Sequence, residues 1–292
     1  PGLLPLVDWG VVFWPPSNAR IMVVVFEHPL GGRVIDAKPE YTMHMNEYDI
    51  PRNIFEPLAH AISELSERNI THRAIRPENL YFMDPECTQI VLGECITGPA
   101  AFDQPIMFEP LHSISTNPGG RGQGKTSDDL YALGICIFII LTGGNPLENT
   151  SDINILYQKF ENGSYASICG DTDFHASLTE PFRGLLCDNP SEQWGLEQLD
   201  VWINGRRQPQ IQNVAPIKAR EPFLFNGYEH RNPQALAHAF SKNFRDAIRS
   251  IKQEDFQRWL RHAVLEPNMA DAVKNLLEIA AYNRGTLQGR DD

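Results

Sequence analysis

Two stretches of the chain carry residue types and spacings that could do chemistry. The first runs Ile70-Thr-His-Arg-Ala-Ile-Arg-Pro-Glu-Asn-Leu-Tyr-Phe82. Within it, Arg73 and Arg76 are forked cations that could hold a phosphate. Glu78 and Asn79, with Glu94 a little further on, offer oxygen atoms of the kind a magnesium ion takes. The plainer reading of both arginines is structural pairing with nearby carboxylates. The second stretch is Gly119-Gly-Arg-Gly-Gln-Gly-Lys-Thr126, which fits the pattern G-x-x-x-x-G-K-[ST]. Here glycines would expose backbone N–H groups, Lys125 would add charge and a helix N-terminus would follow, a combination that cradles phosphate.

Each arrangement needs particular elements around it. A phosphate-cradling loop is delivered by a buried strand, which reads as an apolar run. Leu111-His-Ser-Ile-Ser-Thr-Asn-Pro118 is short, polar and ends in proline. The element after Thr126 is a long helix, where a P-loop enzyme would have a strand ending in a magnesium-binding Asp. The stretch reads better as a flexible, Gly-rich segment ahead of a capped helix. A P-loop NTPase acting through Lys125 is therefore the least favoured alternative.

The elements around the first stretch are easier to place. Ile54, Leu58, Ala61, Ile62 and Leu65 recur at helical spacing and predict a helix over 52–68, with Asn53 and Glu56 as its cap. Leu80–Met83 and Thr88–Leu92 predict two short strands across a turn at Asp84-Pro85. Ser127 reads as the N-cap of a helix that is apolar on all sides through Ile135–Leu141 and so should be buried. Upstream, residues 3–14 and 20–26 read as strands. The unbroken apolar run Ile21–Phe26 is that of a strand covered on both faces. Downstream, helices are predicted over 153–160, 182–186 and 196–203. Residues 206–222 read as a linker. Phe223–Tyr228 suggests a hairpin turning at Asn226-Gly227, and Asn232-Pro233 opens the first of several short helices.

The motif order resembles that of protein kinases. His72, Arg73 and Asn79 stand at the spacing of the catalytic loop H-R-D-L-x-x-x-N. Ser127-Asp-Asp-Leu-Tyr-Ala-Leu-Gly134 resembles the start of the central large-lobe helix, whose buried aspartate, here Asp129, would brace the loop. Phe26 to Gly32 resembles a gatekeeper and hinge, Phe108-Glu109-Pro110 a scrambled A-P-E, and Asp188 to Gln193 the D-P-x-x-R turn. The resemblance covers roughly residues 20–205.

The departures fall where a kinase does its chemistry. Ala74 replaces the aspartate that accepts the proton of the substrate hydroxyl. Glu94 replaces the magnesium-holding aspartate of D-F-G, and Gln193 replaces the arginine that pairs with A-P-E. Pro29 has no N–H where the hinge offers one to adenine. The Gly-rich loop, the V-A-I-K lysine and its partner glutamate have no place in residues 1–20. Arg76 stands where the family carries a lysine near the transferred phosphate.

The resemblance implies an α+β fold that is mostly α. It would comprise remnant small-lobe strands and a hinge over 1–30, a kinase-like large lobe of bacterial type over 31–205, a linker over 206–222, and an appendix of hairpin and short helices over 223–292. It also implies a degenerate site at His72, Arg73, Ala74, Arg76, Asn79 and Glu94, with Asp129 structural. No catalytic residue, metal or cofactor is expected; any remaining nucleotide contact would fall on Asn79 and Glu94. The expectation is a chain that is not an enzyme: a pseudokinase that does not bind ATP and serves as scaffold or allosteric regulator. The alternative is an unorthodox nucleotide-dependent transferase on the same fold. The surface left by the reduced small lobe would bind a protein partner or a second copy.

Bulk properties set outer bounds. The 292 residues are 42% hydrophobic and 21% charged, enough for a sizeable core. A net charge of −12 argues against a nucleic-acid partner. Five scattered cysteines without C-x-x-C suit a reducing compartment, so a cytoplasmic location is expected, and the nine histidines show no ligand spacing. Pro1-Gly-Leu-Leu lacks the basic start of a signal peptide, and the apolar run Ile135–Leu141 is far short of the ~20 residues a membrane helix needs.

Overall fold

The computed structural model of the protein describes residues 2–36, 49–170, 172, 176–209, 211–212 and 215–288, with side chains to 281. Parts of the expected large lobe (37–48, 171, 173–175), linker (210, 213–214) and appendix (beyond 288) lie outside the described residues. The chain forms two compact units, Pro1–Val214 and Ala215–Asp292.

The first unit is built around one buried helix. The apolar sequence Leu130–Ile140 has no polar side to offer solvent, so the helix that contains it, which we call α2, is enclosed by its neighbours (Thr126–Thr142). Among the described residues, five further α-helices belong to the unit: α1 (Glu56–Glu67), α3 (Asp152–Asn162), α4 (Ser164–Ile168), α5 (Ala176–Leu185) and α6 (Leu196–Ile203). Leu58, Ile62, Phe138, Phe182 and Leu199 meet in one core. Phe138 packs edge-on to Phe182 at 5.8 Å, and Phe55 to Trp202 at 5.0 Å.

The start of α1 differs from expectation. The helix is entered through a π-helical turn at Pro51–Phe55, and Asn53 lies inside that turn rather than capping it. Pro57 explains the widening. It has no N–H for the carbonyl four residues back, and its ring would clash there, so the chain takes the wider turn. The Glu56 N–H accordingly reaches back five residues, to Pro51 O. The start of α2 also differs. Ser127 is already helical, and the Asp128 carboxylate accepts the Lys125 N–H at 2.9 Å, a cap supplied from within the first turn.

Among the described residues the strands of this unit form two sheets. β1 (Leu6–Trp14) and β2 (Ala19–Phe26) make an antiparallel hairpin with Trp9 opposite Val24 and Val11 opposite Met22. β3 (Gly32–Arg33), β4 (Leu80–Phe82) and β5 (Ile90–Leu92) form an antiparallel sheet whose far edge is closed by the parallel bridge Leu3–Leu92. The expectation that Ile21–Phe26 is covered on both faces is not met. Among the described residues β1 pairs only with β2, and Trp9 (67%), Phe13 (58%) and Met22 (60%) stand exposed.

The second unit opens on a hairpin of β6 (Phe223–Phe225) and β7 (Tyr228–His230). Asn226 and Gly227 both take positive φ, 49° and 83°, as a two-residue type I′ turn requires. Helices α7 (Pro233–Lys242), α8 (Phe244–Ile251), α9 (Glu254–His262) and α10 (Pro267–Gln288) follow. Phe223, Phe225, Phe240, Phe256 and Trp259 form an aromatic cluster joined mostly edge to face. The α7 N-terminus is fixed by the buried Asn232 side chain, which accepts the N–H groups of Gln234 and Ala235. Replacing Asn232 by Ala leaves those donors orphaned and should destabilise this unit by about 1 kcal/mol in urea unfolding. An unchanged midpoint would show that the cap contributes nothing.

Candidate functional site

The loop between α1 and β4 is held from beneath by the first turn of α2. Asp129 points a buried carboxylate up at it and accepts the backbone N–H of His72 at 2.7 Å and of Arg73 at 2.8 Å. Burial pushes the Asp129 carboxyl up to about 6, against the pull of those two donors. With the backbone so fixed, Arg73 takes a left-handed conformation, φ 52°, uncommon for a side chain of its size.

His72 is pinned on both ring nitrogens. Nε2 lies 3.1 Å from Gly93 O, and Nδ1 faces the Ala74 N–H at 3.3 Å. Burial lowers its pKa to about 4, so at neutral pH the ring is uncharged, donates from Nε2 and accepts at Nδ1. Asn79 closes the loop from the other side, donating from Nδ2 to Ala74 O at 2.9 Å and to Glu94 O at 2.8 Å. Gly93 permits that approach, since a Cβ there would sit 2.0 Å from Asn79 Oδ1.

The six residues singled out in the sequence therefore gather in one place, but in unequal states. Ala74 presents only a methyl group, which cannot accept a proton. Glu94 folds its carboxylate back on its own segment. Oε2 accepts the N–H groups of Ile96 and Thr97 at 2.9 Å each, and Oε1 accepts the Thr97 hydroxyl. Burial raises its pKa, but these bonds outweigh it and hold Glu94 below the ordinary range. Asn79 and Glu94 are hard oxygen donors, yet the Glu94 oxygens are spent locally. No group of three potential ligands among His, Cys, Asp and Glu occurs among the described residues. The pair as it stands does not fit a magnesium site.

The two arginines part company. Arg73 is held by two carboxylates: Nη2 donates to both Glu109 oxygens at 3.1 and 2.9 Å, and Nη1 lies 3.3 Å from Asp128, while its buried Nε has no hydrogen-bond partner. Glu109 is completely buried and also accepts from Ser113 Oγ at 2.5 Å, with Arg121 at 3.7 Å. Arg76 makes no ion pair among the described residues, and its buried Nη1 has no hydrogen-bond partner. Gln193 donates instead to the carbonyls of Ser127 and Leu185.

The second stretch is not a phosphate cradle. A short 3-10 turn at Pro118–Gly120 precedes it, not a strand. Gly124 at φ 67° packs so tightly that a Cβ would lie 2.4 Å from Asp128 Oδ2 and 2.9 Å from Arg73 Nε. An acidic side chain thus occupies the helix N-terminus where an anion would sit. Sequence reading missed Glu109 as the partner of Arg73 and missed Lys159. The available signal for Lys159 was a cation on the apolar stripe of α3, beside Ile155, Leu156 and Phe160. The hinge-like segment gives up two further donors, Leu30 N–H to Met83 O and Gly31 N–H to Phe82 O.

No protein-family model matches the chain. It is 23% identical over 193 residues to the mouse serine/threonine-protein kinase SBK1, covering 60% of this chain and 44% of the mouse protein. It is 26% identical over 272 residues to an apple calcium/calmodulin-dependent serine/threonine-protein kinase, covering 87% and 60%. A Medicago truncatula relative, the calcium and calcium/calmodulin-dependent serine/threonine-protein kinase DMI-3, is 21% identical over 72% of this chain and 43% of its own length. The chain thus spans from under half to about three-fifths of these relatives. It has a protein kinase-like fold, mostly helical with a small sheet part. The expectation of a chain that is not an enzyme is overturned, because these relatives are named as serine/threonine protein kinases, which are enzymes. Among the described residues no helix is long and apolar enough to cross a membrane.

Two measurements check the site. Glu109→Ala leaves Arg73 buried and short of a carboxylate, and should cost about 3–5 kcal/mol of unfolding free energy; a loss under 1 kcal/mol would contradict the pairing. His72 has a folded pKa below its unfolded value, so the unfolded state binds the extra proton between about pH 4 and 6.5. Its contribution is fully present above pH 6.5 and is lost as pH falls through that window. Relative to His72→Gln, the native protein should lose about 3 kcal/mol between pH 7 and 4. Parallel curves would show that the ring is solvated.

Proposed function

We propose that the chain is part of a nucleotide-dependent phosphotransferase of kinase-like fold in which Arg76 receives a phosphate group. The carrying observation is that Arg76 makes no ion pair among the described residues and leaves its buried Nη1 without a partner; Arg73 Nε is also unpaired, but that guanidinium is already neutralised by Glu109 and Asp128. A buried guanidinium nitrogen left unpaired is costly, and an anion would satisfy it with a charge-assisted bond. Asp129, His72 and Asn79 hold the loop rigid around that position, and phosphoryl transfer depends chiefly on positioning and electrostatic stabilisation. Names of the relatives support the reading, since each is a serine/threonine-protein kinase. No proton-accepting side chain stands at position 74, so the acceptor proton must leave to solvent or to the transferred phosphate itself. No step is assigned to a metal.

The test is calorimetric titration with ATP, alongside transfer of radiolabelled phosphate to a protein substrate. Binding should weaken at least tenfold in Arg76→Ala and stay unchanged in Lys125→Ala. Absence of binding at millimolar ATP, or a loss confined to Lys125→Ala, would refute the assignment.

A second reading, a regulatory or scaffolding role, is favoured by the β1–β2 hairpin, which shows apolar side chains on both faces. A contiguous exposed apolar surface marks a contact site more often than a solvent face. Sedimentation of the protein and of Trp9→Glu would read this role out. Association that the variant abolishes supports it, and a monomer in both cases removes it.

A further inference from the structure

We propose that Lys159 is a positioning residue: its amine ties the stretch Ile106–Glu109 to α3, and so holds the Glu109 carboxylate against Arg73 of the His72–Asn79 loop. The proposal stands apart from whether Arg76 takes a phosphate. The side chain is completely buried. Its Nζ donates to Met107 O at 2.5 Å and Glu109 O at 3.0 Å, with Ile106 O at 3.5 Å. Those carbonyls belong to the single 3-10 turn Ile106–Phe108 and its C-cap Glu109, where the C-terminal carbonyls have few intrahelical N–H donors to satisfy them. A lysine projected from a different helix does that work, and Glu109 comes with the turn.

The groups facing the amine come from three elements. Tyr131 of α2 lies beneath it, with its ring centroid 5.0 Å from Nζ. The Asp188 carboxylate, beyond α5, and the Glu109 carboxylate both favour a charged amine. Both are already committed: Asp188 to the N–H and hydroxyl of Ser164, and Glu109 to Arg73, Ser113 and Arg121. Burial therefore outweighs them and lowers the Lys159 pKa from 10.5 to about 7. A neutral amine still has two N–H groups, enough for the two short bonds.

The sign follows from linkage. Opening of the 106–113 stretch would return the amine to water and to its ordinary, higher pKa. Between about pH 7 and 10 the open state binds the extra proton, so opening becomes rarer as pH rises, by up to about tenfold per unit.

Lysine labelled with ¹³C at Cε gives the first readout, in the wild-type protein. One resonance should titrate near neutrality and be missing from the Lys159→Met spectrum. Hydrogen exchange gives the second. After correction for intrinsic rates, protection of residues 106–113 and of 72–79 should both rise about tenfold from pH 7 to 8.5. In Lys159→Met both should fall and lose that dependence. The proposal is overturned if every lysine titrates above pH 9, or if protection of 106–113 follows pH while that of 72–79 does not. Should the variant fail to fold, the wild-type titration and the wild-type exchange profile still decide.

Discussion

The structure depends on one carboxylate placed under one loop. Asp129 bonds two successive backbone N–H groups, and it can do so only because it sits in the first turn of a helix with no exposed side. Burying a carboxylate is expensive, and bonds of this charge-assisted kind return about 1.5–3 kcal/mol each. The balance shows in the Asp129 carboxyl, still pushed up to about 6. From that fixed point the rest follows in sequence. The backbone turns left-handed at Arg73, the guanidinium is delivered inward, and His72 and Asn79 reach the carbonyls of Gly93, Ala74 and Glu94.

A second layer of order grows from Arg73. In the resemblance to kinases, a carboxylate in the A-P-E segment pairs with an arginine of the D-P-x-x-R turn. Here Gln193 occupies that turn and bonds main-chain carbonyls, while Glu109 pairs with the loop arginine itself. The segment following the loop is thus fastened directly to the loop. Lys159 fastens it a second time through its backbone. The result is a site whose frame is firm and whose chemistry is pared down: a methyl group at 74, a self-satisfied carboxylate at 94 and, at 76, a guanidinium with no carboxylate among the described residues and a buried nitrogen without a partner.

Local features were readable from the residues. The all-apolar helix α2, the Asn226-Gly227 turn and the Asn232 cap each follow from neighbours in sequence. The catalytic-loop pattern led to the fold. Features set by distant residues were not readable. Nothing near Glu109 in sequence announces Arg73, thirty-six positions away. The π turn before α1 and the self-made cap of α2 came from backbone geometry that competes with the simpler cap rules. The apolar run of β2 suggested a strand enclosed on both faces, yet among the described residues β1 and β2 pair only with each other. The aspartates lost at 74 and 94 and the missing small-lobe apparatus pointed to a protein that is not an enzyme; the kinase names of its relatives correct that inference.

The most direct test of the account is native-state hydrogen exchange at two amides, His72 and Arg73. If the Asp129 carboxylate is what fixes the loop, both should exchange only through global unfolding, as slowly as the amides in the middle of α2. Exchange at the rate of an ordinary surface loop, while α2 stays protected, would contradict it.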